Sequence, residues 1–391
     1  MKILFIHNRY QYQGGEDAIL EAEVSLLKQK GHELRVIRFD NEQIKGVFSK
    51  ITTGFHSFYN PVSAKKAEEV MKDFTPDLVH IHNLFFTASP SVLFKAHRLK
   101  IPVVMTLHNY RLICANAMLL REEKICEQCV QKIFPLDGIR HKCYRSSFME
   151  SALVTGITSL HKVLSTWQNK VSRYIVLAEF AKTRILNSSL RIAEEKISVK
   201  PNFVADPQKI PDSRQDYFLF VGRIASGKGV ELLLQTFSAL PDLRLVMAGD
   251  GPDRERLETA ISQIPNVQYL GQQPAEKILE LMRQCRALVF PSNWYEGLPT
   301  VIIEAFATGT PVIASRLGAM AEMVEHGYNG LHFEANNSED LKEKLISLPR
   351  YGEKIYQQAR LSYEKKYHPD VHYKAILSIY QQAIEARKNE E

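Results

Sequence analysis

The sequence predicts an α/β protein of two Rossmann-like, doubly wound parallel-sheet domains facing a cleft. Three observations predict it. The chain has 391 residues, which suits two domains of about 150–200 residues each. Short apolar runs alternate with amphipathic stretches from end to end. One proline-rich polar stretch, residues 201–216, interrupts that alternation and reads as a linker. A balance of 45% hydrophobic and 24% charged residues supplies apolar side chains for two cores.

In the first half, Lys2–His7, Glu33–Phe39, Leu78–His82, Val103–His108 and Arg173–Leu177 read as strands. Amphipathic patterns at Glu16–Lys30, Ser63–Phe74 and Ser89–Leu99 read as helices between them. Further strands are expected at Ile197–Pro201, Tyr217–Gly222, Leu243–Ala248, Val267–Leu270, Ala287–Phe290 and Pro311–Ala314. Helices are expected at Gly229–Leu240, Arg254–Ile264, Pro274–Gln284 and Pro299–Thr308. Continuous apolar strands separated by helices imply parallel sheets covered on both faces. The expected division is residues 1–200, residues 201–370 and a last helix, 371–391, that crosses back to the first domain. Ligands of such sheets bind beyond the carboxyl ends of the strands.

Net charge is +6, unevenly spread. Residues 1–195 hold 27 Lys+Arg against 19 Asp+Glu, or +8, and the remainder holds 23 against 25, or −2. A basic first half suits an anionic partner such as a lipid surface or a lipid pyrophosphate. Nucleic acid is disfavoured, because no basic helix or reading motif accompanies the charge. No run of about 18 apolar residues occurs, and no secretory leader is recognisable. The expectation is a cytoplasmic protein, peripheral on the inner face of the plasma membrane where the basic half meets lipid.

Residues 292–309 carry the strongest chemical signal. A strand feeds a loop holding Glu296 and Gly297, Pro299 fits the first turn of a helix, and Gly309 ends it. The N–H groups of Gly297, Leu298 and Thr300 then lie at a positive helix end, a natural anion site. Glu304 sits one turn after Thr300 among apolar neighbours, so its carboxylate needs partners, and sugar hydroxyls are suitable ones. Arg223 at a strand end and Lys228 at the next helix start suit a diphosphate. Gly249 and Gly251 follow another strand and let a ligand or a crossing backbone approach. Gly14-Gly15 precede the first helix. His108 ends a strand; of His80 and His82, only one is expected to face the ligand side, with His82 the choice.

Cys114, Cys126, Cys129 and Cys143 lie within residues 114–143, with His141 as an alternative ligand. Three readings stay open: a structural zinc site, reduced thiols, or a redox-sensitive pair.

These motifs resemble retaining glycosyltransferases of family 4 with the two-Rossmann (GT-B) architecture, of the bacterial polysaccharide type. The matching residues are GGE at 14–16, LHN around His108, VGR…GKG at 221–229, AGDGP at 248–252 and EGLPTVIIEA at 296–305. They span essentially the whole chain. The resemblance implies transfer of a hexose from a UDP- or GDP-sugar to a polysaccharide or lipid-linked saccharide. It implies that Glu296, His108, Arg223 and Lys228 serve the reaction. It places Gly15, Gly249, Gly251, Leu270, Gly297, Leu298, Thr300 and Glu304 beside the donor. It needs no catalytic metal, since fixed cations replace one. An epimerase of the same architecture and a catalytically silent sugar-binding protein are the competing classes.

Overall fold

The computed structural model describes residues 1–9, 15–40, 57–208 and 213–389. It divides into two compact units: Met1–Leu119 with Cys126–Pro201 and His372–Glu391, and Leu120–Ile125 with Asn202–Val371.

The first unit is built on β1 (Lys2–Arg9), β2 (Glu33–Asp40), β3 (Leu78–Ile81) and β4 (Val103–Leu107). A two-stranded hairpin, β5 (Leu120–Arg121) and β6 (Lys124–Ile125), follows and counts with the second unit. β7 (Arg173–Val176) and β8 (Ile197–Val199) return to the first. The sheet order is β2-β1-β3-β4-β7-β8, parallel throughout. Ile3 to Ile6 of β1 are fully buried, which is why that run is continuously apolar. β2, at an edge, instead exposes Glu33, Arg35 and Arg38, charges that protect an unpaired edge. Asn60 starts the helix Pro61–Phe74 by accepting from the Val62 and Ser63 N–H groups at 3.0 and 3.2 Å. The last helix, Pro369–Lys388, packs Ile376, Ile379, Tyr380 and Ala383 into a core with Ile3, Phe5, Leu20 and Leu27.

The second unit continues with β9 (Phe218–Val221), β10 (Leu245–Ala248), β11 (Val267–Tyr269), β12 (Ala287–Phe290), β13 (Val312–Ser315) and β14 (Gly330–Phe333). Its order is β11-β10-β9-β12-β13-β14, again parallel. In β9, Phe218 and Phe220 enter one apolar cluster and Leu219 another, one on each face. Each such side chain contributes about 2 kcal/mol by burial.

The described residues of the expected linker, 201–208 and 213–216, are not free. Asp206 pairs with Arg360 through two bonds of 2.9 and 2.7 Å. Arg214 donates to the carbonyls of Arg283, Cys285 and Gly309 and to Thr310. The proline-rich segment is therefore fastened to the second unit at both described ends. β14 has no counterpart among the expected strands: it is four residues long, begins with glycine and carries His332. The helix Phe148–Val163, capped by Ser147 onto the Glu150 N–H, was likewise not expected.

Candidate active site

The order of the second sheet reverses between β9 and β12, the place where doubly wound folds bind ligands. The loops after these strands, residues 222–229 and 291–299, run side by side. Asn293 donates its N–H to the Gly227 carbonyl at 3.0 Å. Gly229 has φ +74, and a Cβ there would lie 2.2 Å from the Pro291 carbonyl oxygen. Only glycine permits that approach, and the approach brings Lys228 onto Glu296.

Glu296 Oε1 accepts three hydrogen bonds: from Lys228 Nζ at 2.6 Å, Ser292 Oγ at 2.6 Å and Trp294 Nε1 at 2.7 Å. Lys228 Nζ also sits 5.0 Å from the Trp294 ring centroid. Oε2 has no protein partner among the described residues. Ser292 and Trp294 were not singled out from the sequence; their offsets of four and two residues before Glu296 were the available signal.

The helix Thr300–Ala307 begins at Pro299, which is its N-cap rather than part of its first turn, and no side chain caps it. Its first N–H groups are thus left for a ligand or solvent. Gly297 and Leu298 precede it in the same loop. Gly309, with φ +69, follows the C-cap Thr308. Glu304 is half-buried between fully buried Ile303 and Ala305. Burial raises its carboxyl pKa, and no protein group among the described residues bonds it. Arg223 is exposed and also lacks a protein partner among the described residues.

Gly249 and Gly251 face a crossing backbone. A Cβ on Gly249, at φ +140, would lie 1.9 Å from the Gly222 carbonyl oxygen, and one on Gly251 2.1 Å from that of Ile224. The Leu270 N–H bonds the Met247 carbonyl at 2.9 Å, and the Gly249 N–H bonds that of Gly271 at 2.9 Å. These glycines lace the β10 loop to the β9 loop that carries Arg223.

In the first unit the order reverses between β1 and β3. Gly15 opens the helix Gly15–Gln29; Gly14 lies outside the described residues. Asn83 after β3 donates to the Asn8 carbonyl at 2.8 Å and to Glu16 at 3.1 Å. Burial, with Asp17 beside it, pushes the Glu16 carboxyl up to about 8. His7 contacts Asp17 at 2.8 Å.

His80 and His82 share one side of the sheet, with ring centroids 4.4 Å apart. Residues two apart in a strand point the same way, so the expectation that only one faces inward is corrected. His82 Nδ1 lies 2.9 Å from Nε2 of His108. Behind them stands Glu23, 1% exposed, which sequence periodicity hides as one more residue on a helix. Its carboxylate lies 3.1 Å from His80 and 3.3 Å from His82. It also lies 3.2 Å from Lys200 and 2.9 Å from His372. Glu23, His80 and His82 bring ligand atoms within 4.8 Å of one another, but the Lys200 ammonium already supplies the cation there.

Burial raises the thiol pKa of Cys114 and pushes that of Cys129 up to about 12, with Cys114 and Cys143 near enough to add to the latter. Without a metal to displace their protons, these two are thiols at neutral pH. Cys126 donates its N–H to the Leu119 carbonyl at 2.8 Å.

Two family models match the chain: Glycosyltransferase Family 4 over residues 20–206 and Glycosyl transferases group 1 over residues 204–366. An uncharacterized glycosyltransferase of Methanocaldococcus jannaschii is 26% identical over 355 residues, 89% of this chain and 88% of its own. A glycosyltransferase structure from Rickettsia africae covers 98% of both chains with TM-score 0.69 and 19% identity. The Anabaena protein HepE, solved in complex with UDP, covers 100% of both chains with TM-score 0.65 and 17% identity. It has also been solved with UDP-glucose. With two Rossmann-like units, a loop pair meeting at the β9/β12 reversal and matches that reach from residue 20 to residue 366, the chain belongs to the family 4 glycosyltransferases of GT-B architecture, within the EC 2.4 transferases.

Proposed function

We propose that the protein moves a hexose from a UDP- or GDP-sugar, with retention at the anomeric carbon, to a polysaccharide or lipid-linked saccharide. The observation that carries the nucleotide-sugar reading is Glu304, an unpartnered, half-buried carboxylate behind an uncapped helix start. A ribose diol supplies two donors to such a carboxylate, and the helix start takes the diphosphate. Arg223 and Lys228 add positive charge where the leaving β-phosphate develops negative charge, so no metal is required. Glu296 stands beside the transferred sugar, and Gly249, Gly251 and Leu270 beside the base. In the first unit, Gly15 opens a helix and His108 follows β4, and both are assigned to the donor by the family resemblance. The HepE complexes with UDP and UDP-glucose make UDP-sugars the first donors to try.

The test is nucleotide release from a panel of UDP- and GDP-sugars with acceptor extract. One donor should release nucleoside diphosphate, and Glu304→Ala should raise its KM at least about tenfold. Release from no donor would favour the silent sugar-binding reading. An isomerised sugar still attached to its nucleotide would favour the epimerase.

The acceptor side is read as membrane-proximal. No helix among the described residues is long and apolar enough to cross a membrane. Yet Phe134, Leu136, Phe148 and Met149 are 55–76% exposed, interspersed with exposed Lys132, Arg140, Lys142 and Arg145. Apolar tips among cations suit an anionic bilayer surface. Vesicles containing anionic lipid should pellet the protein, and Phe148→Glu with Met149→Glu should leave it in the supernatant; equal pelleting of both would refute this reading.

A further inference from the structure

A neighbouring histidine, itself beside a buried carboxylate, sets how His108 is protonated. His82 and His108 approach through nitrogens 2.9 Å apart, with rings inclined 27° and centroids 5.1 Å apart. That is the separation of imidazoles bonded in plane through one N–H···N. One nitrogen of the pair must donate and the other accept. The choice is set on the far side of His82, where Nε2 lies 3.3 Å from Glu23 Oε1 in a fully buried site. Glu23 is ionised: burial alone would raise its pKa, but Lys200 and the surrounding imidazoles hold it well below the usual range. An ionised carboxylate only accepts. His82 Nε2 and Glu23 Oε1 are not aligned as a hydrogen bond, and neither has another hydrogen-bond partner among the described residues. With Nε2 unprotonated, its lone pair would lie against the carboxylate charge in the interior, the costlier arrangement there. His82 therefore carries its proton on Nε2, accepts at Nδ1 and receives the Nε2–H of His108.

We propose that Glu23, acting through His82, fixes His108 in the tautomer protonated at Nε2, so that Nδ1 is presented to substrate as a hydrogen-bond acceptor. Glu23 and His82 are positioning residues, both buried, at 1% and 4% exposure. Lys200 balances the charge of Glu23, so the imidazoles stay neutral. Burial pushes His82 down to about 3 and His108 well below the usual value. Nδ1 of His108 has no protein partner among the described residues. Resting on the proposed transferase reading, the consequence is that one hydroxyl of the donor sugar donates to His108, and a donor lacking it is disfavoured.

The decisive measurement is the long-range ¹H–¹⁵N spectrum of the histidine rings in the full chain at pH 7.5, with His108→Gln assigning the signal. His108 is expected as the Nε2–H form. The Nδ1–H form would overturn the proposal without reference to any activity. The double variant Glu23→Gln, Lys200→Met removes the buried ion pair as a unit and keeps the fold testable. In it, a mixture of tautomers should appear; an unchanged single Nε2–H form would remove Glu23 from the role. With UDP-glucose analogues each missing one hydroxyl, one deletion should cost the wild type about tenfold in kcat/KM and cost the double variant much less. Equal costs would refute the specificity consequence while leaving the tautomer result standing.

Discussion

Lowering the pH from 7 to 5 is expected to remove about 4 kcal/mol of stability from the first unit through His82 and His372 alone. Their pKa values are pushed down from 6.5 to about 3 and about 4, chiefly by burial. A histidine held below its unfolded value binds fewer protons folded than unfolded. Its contribution is present above pH 6.5 and is lost as the pH falls below that, at about 2 kcal/mol per residue by pH 5. His7, His80 and His108 are shifted in the same direction by burial. Glu16 opposes them: with its carboxyl raised to about 8, it favours the folded state as the pH falls. Five histidines against one half-buried carboxyl leave a net loss. Glu23, held low, adds its own loss only in stronger acid. The chain has two tryptophans. Trp167 is fully buried in the first unit and Trp294 belongs to the second. In Trp294→Phe, urea unfolding followed by Trp167 emission therefore reports the first unit alone. A midpoint unchanged between pH 7 and pH 5 would show that these histidines are not buried neutral.

Replacing Lys228 by Met is expected to lower kcat by about a hundred- to a thousandfold, the scale set by losing one preorganised charge at a developing oxyanion. The Lys228 ammonium is held by Glu296 Oε1 at 2.6 Å and lies over Trp294. Its position is set by protein contacts alone, which limits the reorganisation a reaction there would need. Glu296 itself is fixed by three donors on one oxygen, and Oε2 has no protein partner among the described residues. Glu296→Gln should therefore lower kcat while donor KM moves within about threefold. Single-turnover rates with saturating donor separate the two quantities. A Lys228→Met protein with kcat within threefold of wild type would remove Lys228 from charge stabilisation.

Much of the fold was readable because the relevant signals are local. The buried strands β1, β9 and β12 are continuous apolar runs, and the pairing of Glu296 with a helix start lies within five residues. Glu304 stood out because an acidic residue among Ile302, Ile303, Ala305 and Phe306 has no apolar explanation. What could not be read is non-local. Glu23 contacts Lys200 and His372 from 177 and 349 residues away, and no periodicity marks such a meeting. Lys200 looks like an ordinary polar residue after β8, yet it is 2% exposed. β14 escaped because it is only four residues long: Leu331 and Phe333 alternate with His332, too short a pattern to mark a strand. Gly249 and Gly251 were read as places for a ligand or a crossing backbone, and the structure shows the crossing backbone there: the carbonyls of Gly222 and Ile224.

The first unit is discontinuous, and this bears on how the protein is made. Its core takes Ile376, Ile379 and Tyr380 from the last twenty residues, and Glu23 takes His372 as a partner. On a ribosome, the N-terminal half emerges first, but it cannot seal its core until residues 372–383 have emerged as well. The second unit, nearly all of it within Asn202–Val371, can close while synthesis is still under way. The part of the polypeptide translated earliest is thus the part completed last. Until then, Glu23 and Lys200 lack the His372 that closes over them, and the apolar face that meets the last helix is uncovered.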